Sequence, residues 1–129
     1  MPLDFNLAKQ IKYWKDGSLE DLEVARDLIA GNHIRHGMFF LHLALEKILK
    51  AHVCKTIQDV PPRIHNLVRL AELANLSLIS EQKYFLEELN NYNLEGRYPD
   101  DLTPVPALQN AKEILACAED FYQWLINQL

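Results

Sequence analysis

Residues 34–55 constrain this chain more than any other segment. Met38, Leu41, Leu45, Ile48 and His52 recur at alternating spacings of three and four, and Phe39, Phe40, Leu43, Leu49 and Val53 fill the stripes alongside. Side chains three or four apart share one face of a helix, so this helix is apolar around most of its girth. Such a helix belongs at the centre of a bundle, with neighbours on several sides. In a chain of 129 residues with 49% hydrophobic residues and only 4 Gly, those neighbours are expected to be helices rather than turn-linked strands.

A first helix is expected over about residues 4–30. Phe5, Ala8 and Ile11 begin its stripe, and Leu19, Leu22, Ala25, Leu28 and Ile29 continue it. Asp16-Gly17-Ser18 interrupts that stripe and reads as a kink or a break, with Ser18 as an N-cap and Asp21 reaching back to its backbone. Gly31-Asn32 ends the segment. Asp59-Val60-Pro61-Pro62 reads as a loop, because paired prolines do not sit inside a helix. A short helix is expected over about residues 65–74, followed by a loop held by Leu76 and Leu78. Ser80 reads as the cap of a fourth helix, whose apolar face is Phe85, Leu89 and Tyr92 and which ends near Gly96. An extended stretch, Arg97 to Asp101, comes next. Thr103-Pro104 or Val105-Pro106 then opens a last helix, with a stripe of Leu108, Ala111, Leu115, Ala118, Tyr122, Leu125 and Leu129 widened by Ile114, Phe121 and Trp124. No linker or internal repeat divides the chain, so residues 1–129 are expected to form one all-α domain. Its form is an antiparallel up-and-down four-helix bundle with an additional short helix. The wide last stripe exposes Phe121 and Trp124 as a candidate homodimer interface, or else they cover the bundle's own end.

Charge and composition narrow the function. The formal net charge of -5 argues against whole-surface attraction to duplex DNA, though not against a local basic patch. Met1-Pro2-Leu3-Asp4 lacks the basic start of a signal peptide, and no apolar stretch approaches the ~18 residues of a membrane span. The expectation is a cytoplasmic protein without a membrane partner. Cys54 and Cys117 lie in apolar helical patterns and read as buried free thiols, and no CxxC spacing offers a zinc site. The five His form no metal pattern, and no Gly-rich phosphate loop or Ser-His-Asp arrangement is visible, so no metal or cofactor is expected.

Three segments, in order and spacing, resemble the HEPN family (higher eukaryotes and prokaryotes nucleotide-binding). They are residues 39–51, Phe-Phe-Leu-His-Leu-Ala-Leu-Glu-Lys-Ile-Leu-Lys-Ala; residues 61–67, Pro-Pro-Arg-Ile-His-Asn-Leu; and residues 93–100, Asn-Leu-Glu-Gly-Arg-Tyr-Pro-Asp. Residues 14–28 resemble the family's first helix, so the likeness covers about the whole chain. The resemblance implies a helical bundle that commonly dimerises and often partners a minimal nucleotidyltransferase. Some members are RNA-cleaving toxins, which carry an Arg, a polar residue, a short spacer and a His at the start of a late helix. This chain departs from that pattern: no His follows His65, so Arg97 has no downstream base. The resemblance therefore implies a binding module for nucleotide or RNA rather than a free-standing enzyme, and no catalytic residue is assigned.

The candidate ligand residues are Arg97, Tyr98, Asp100, His42, Glu46 and Lys50. Arg97 is a permanent cation beside Pro99, suited to phosphate or to an ion pair with Asp100, Asp101 or Glu46 that clamps the loop. Tyr98 either stacks on a base or plugs the bundle mouth. His42, Glu46 and Lys50 lie at i, i+4 and i+8, one helix ridge. That ridge lines a cleft with Arg97 or forms a polar surface stripe, and Arg35 lies two turns before it. Lys47, Lys50, Lys55 and Arg63 make either a local anion site or a solvated rim. Two other functions stay open: a structural dimeric interaction protein without ligand, and a metal-independent ribonuclease pairing Arg97 with a non-standard base such as His42.

Overall fold

The first two helices form an antiparallel hairpin, α1 (Leu7–Ala30) and α2 (Ile34–Ile57), and everything else packs around it. In this computed structural model residues 5–95 and 97–129 are described. The readings of Met1 to Asp4, including the first helix's expected start, lie outside those residues, as does Gly96 itself. Asn6 caps α1, its side chain accepting from the Lys9 N–H at 3.1 Å. The turn between the helices is made by Asn32, whose φ of 64° is left-handed. The His33 N–H donates to the Leu28 carbonyl and the Asn32 N–H to the Ile29 carbonyl, so the open end of α1 is satisfied within three residues. Asn75, at φ 56°, ends the short α3 (Leu67–Leu73) in the same way, its N–H on Glu72 and that of Leu76 on Ala71.

α1 runs unbroken through Asp16-Gly17-Ser18, where the sequence left a kink or a break open. Ser18 is no cap: it is buried, and its Oγ bonds the Lys15 carbonyl at 2.6 Å and the Tyr122 hydroxyl at 2.9 Å. The inward stripe runs through Ser18, Asp21, Leu22, Ala25 and Ile29, while Leu19 is exposed. The apparent interruption was a buried stripe written in polar residues, which a count of apolar positions does not see.

α2 is central, as its pattern predicts, and touches each of the other α-helices. Gly37 sets the hairpin's closeness. A Cβ there would come within 2.6 Å of Ile29 Cγ1 and 3.2 Å of the Ile29 backbone nitrogen. α4 (Ser80–Asn90) begins one residue after Ile79, whose N–H is taken by the Gln82 side chain at 3.0 Å. It ends at Asn90, six residues short of the expected end, and Tyr92 is buried in the turn beyond. Residues Pro99–Asp101 form one 3-10 turn rather than an extended stretch. α5 (Leu108–Asn127) starts after both proline pairs, and buries Ala111, Leu115, Ala118, Phe121, Tyr122 and Leu125.

α5 is fastened to the hairpin by polar pairs as well as by its stripe. His52 Nε2 donates to the Leu125 carbonyl at 2.8 Å, and Arg26 reaches Glu119 at 2.7 Å. Among the described residues the architecture is an all-α bundle of four longer helices with the short α3 on the side of α2. Among the described residues no strand is present, and no helix is long and apolar enough to cross a membrane.

Candidate functional site

The polar ridge of α2 is buried, which neither reading of the sequence anticipated. Glu46 is its hub. One carboxylate oxygen accepts from Lys50 Nζ at 3.0 Å, and His65 Nδ1 approaches both oxygens at 3.2 and 3.1 Å. His65 comes from the loop before α3, and its Nε2 lies 3.3 Å from Glu95, on the loop after α4. Glu46 thus ties two loops to the central helix. A buried carboxylate persists only with such partners, since desolvation otherwise costs several kcal/mol.

His42 has no exposed surface, and its ring nitrogens meet no partner at full hydrogen-bonding geometry, although the Asn90 side chain and the His65 backbone lie close. Its Nδ1 lies 3.8 Å from Glu46. Burial pushes its pKa below the ordinary histidine value, against the pull of the Glu46 charge, so the ring is held neutral. It packs the site from behind and does not face solvent.

Lys50 is the member of the ridge that reaches an opening. Its ammonium sits 5.2 Å from the centroid of the Trp14 ring. Trp14 and Lys50 line a cleft of about 450 Å³ with Gln10, Tyr13, Val60, Pro61, Pro62 and Arg63. Tyr13 and Trp14 meet edge to face at 5.0 Å, and Tyr13 is 65% exposed. The paired prolines of the α2–α3 loop form one wall and project Arg63. Among the described residues no carboxylate pairs with Arg63. The cleft therefore combines an exposed aromatic face, a buried indole N–H without a partner and two cations, one balanced by Glu46 and one not.

Arg97 behaves as a clamp. Its guanidinium donates to the backbone carbonyls of Asp101 at 3.2 Å and Asn90 at 3.4 Å, and not to the carboxylates of Asp100, Asp101 or Glu46. Arg35 holds the same connection from the other side through the Thr103 carbonyl at 3.2 Å. Tyr98 is 75% exposed and plugs nothing. Asp100 is exposed in the 3-10 turn. Arg97, Tyr98 and Asp100 thus share one loop, and among the described residues Glu95 and His65 connect that part of the chain to Glu46 on the α2 ridge.

The four basic residues at the α2 exit separate. Lys47 pairs with Asp21 at 2.8 Å, Lys55 reaches the Gln128 carbonyl at 3.3 Å, and Lys50 and Arg63 alone share the cleft. Cys54 is buried, and burial pushes its thiol up to about 11, but Cys117 is exposed, contrary to expectation. Phe121 is buried and Trp124 half-buried. Among the described residues no cluster of His, Cys, Asp or Glu fits a metal ion.

Sequence reasoning passed over Tyr13, Gln10 and Glu95, whereas His65, read after Pro61-Pro62 as a cap or as paired with a neighbour, does pair, with Glu46 and Glu95. A usable signal existed for Tyr13, a tyrosine off the apolar stripe beside a tryptophan on it. For Glu95 no local signal exists, because its partner lies thirty residues away.

Residues 11–129 match the family described as HEPN domain. Two solved structures share the fold. That of TT1696 from Thermus thermophilus is 19% identical, covers 93% of this chain and 98% of its own, and superposes with a TM-score of 0.75. That of ST0689, an archaeal HEPN homologue, is 22% identical, covers 92% and 96%, and has a TM-score of 0.68. No curated protein matches the chain.

Proposed function

The chain belongs to the HEPN domain family, and on that premise we propose that it is a nucleotide- or RNA-binding module that works beside a minimal nucleotidyltransferase. The observation that carries the binding reading is the cleft beside Tyr13 and Trp14. An exposed aromatic face takes a base of any sequence, at about 1–3 kcal/mol per stacked base. Arg63, uncompensated by any described carboxylate, suits the phosphate. Lys50 adds to it while Glu46 holds its position. The loop of Arg97, Tyr98 and Asp100, linked to Glu46 through Glu95 and His65, is a second contact for a strand longer than one nucleotide. The net charge of -5 confines such binding to this local patch. The partner enzyme rests on the family alone. A ribonuclease pairing Arg97 with His42 finds no support, because His42 is enclosed.

The test is a fluorescence-anisotropy titration of labelled mononucleotides and short single-stranded RNAs against wild type, Arg63→Ala and Tyr13→Ala. Wild type is expected to bind with an affinity that falls as salt rises. Each variant loses about tenfold or more in affinity, with an unchanged melting curve because both side chains are exposed. Absence of binding in wild type, or binding that ignores both substitutions, refutes the cleft and leaves a structural interaction protein.

A further inference from the structure

α4 and α5 both rest on the core but scarcely touch one another. Phe85 and Phe121, 6.4 Å between ring centroids, are what bridges them. On either side of Phe85 and Cys117 the gap opens into a cleft, of about 430 Å³ toward Ile79 and Trp124 and about 410 Å³ toward Tyr92 and Pro106. Together these make one groove along the antiparallel pair. Its floor is apolar, and Ile79 at its end is 61% exposed.

The rim carries the information. Glu81 and Glu88 stand seven residues apart on α4, and Glu113 and Asp120 seven apart on α5. Two helical turns separate each pair, roughly 10 Å along the axis. No Lys, Arg or His lines either half of the groove. An apolar trough between two rails of carboxylates at helical repeat is complementary to one kind of object. We propose that this groove docks an amphipathic helix of a partner protein, with apolar residues facing down and Lys or Arg on both flanks. Helix-in-groove recognition uses anchors at i, i+3 or i+4 and i+7, the same repeat as the rails. A second copy of this chain does not fit the groove face to face, since a two-fold contact sets the four carboxylates against their own copies. The inference is independent of the nucleotide reading.

Cys117 on the groove floor is exposed and Cys54 is buried, so the chain carries its own reporter. The experiment follows the rate of Cys117 alkylation by iodoacetamide in the full chain. It adds a synthetic helical peptide of Leu anchors with Lys flanks, or the same peptide with Glu flanks. Wild type is expected to be protected by the Lys peptide and not by the Glu peptide, less so at high salt. The exposed double substitution Glu88→Lys with Glu113→Lys is expected to weaken Lys-peptide protection by about tenfold and to favour the Glu peptide. Equal protection by both peptides, no protection by either, or protection indifferent to the double substitution overturns the proposal. So does sedimentation showing that Cys117 in wild type is already shielded by a dimer that Trp124→Ala dissolves.

Discussion

The α1–α2 pair and the α4–α5 pair are both antiparallel, yet one is closed and the other open. In the first, Gly37 lets the backbone of α2 meet Ile29 directly, and a three-residue turn leaves the helices no freedom to splay. In the second, Phe85 and Phe121 meet ring to ring, and the connection over residues 91–107 carries Pro99, Pro104 and Pro106. Small residues at a crossing let two helices share a core, and large ones hold them apart and leave a surface. The charge follows the same division. The closed side buries a paired carboxylate and opens a cationic aromatic cleft, whereas the open side displays carboxylates around an apolar floor.

The sharpest way to break the closed side is to unbalance Glu46. Glu46→Ala leaves Lys50 buried without its carboxylate, and is expected to cost about 3–5 kcal/mol in urea unfolding. Lys50→Met in the same chain recovers part of that loss. If Glu46→Ala is neutral, the ridge is a solvated stripe after all. Next comes the crossing itself. Gly37→Ala drives a Cβ into Ile29 and is expected to cost about 1–3 kcal/mol. Gly17→Ala meets only the flexible Lys47 side chain, at 3.2 Å from its Cδ. That change stays within about 1 kcal/mol of neutral, because the gain in helix propensity offsets the crowding. Equal effects at the two glycines contradict the picture of a backbone contact at Gly37.

Acidification gives a smaller effect of definite sign. His42 and His52 are both pushed below the ordinary value of 6.5 by burial. The unfolded chain therefore binds protons first, and the stability they contribute is present above pH 6.5 and lost as pH falls below it. The slope is at most about 1.4 kcal/mol per pH unit for each histidine. Urea midpoints at pH 7.5 and 5.5 measure it, and His42→Leu is expected to flatten the trend; higher stability at 5.5 contradicts it. The smallest effect belongs to Arg97→Ala. Losing two exposed bonds to backbone carbonyls costs about 0.5–1.5 kcal/mol. Hydrogen exchange is expected to rise over residues 97–103 and to stay unchanged in α1 and α2, and a rise in the hairpin contradicts a local clamp.

The helices α1 to α5 of the described residues, and the central place of α2, were legible in the chain because the three-four repeat is a local property and α2 has apolar residues on every stripe. The same locality explains the failures. α1 looked interrupted because Ser18 and Asp21 are polar, and their burial depends on Tyr122 and Lys47, far away in sequence. The expected end of α4 near Gly96 overlooked that the chain turns at Asn90 and is then held by Arg97.

By itself the sequence determined which segments are helical, that α2 is enclosed, and that His42, Glu46 and Lys50 share a ridge, since spacing alone sets which side chains lie on one face. Tertiary structure decided that this ridge is buried against His65 and Trp14, that Arg63 and Tyr13 flank the one member reaching the surface, and that α4 and α5 stand apart. Those outcomes depend on side-chain volume and charge meeting across the bundle, which no local repeat encodes.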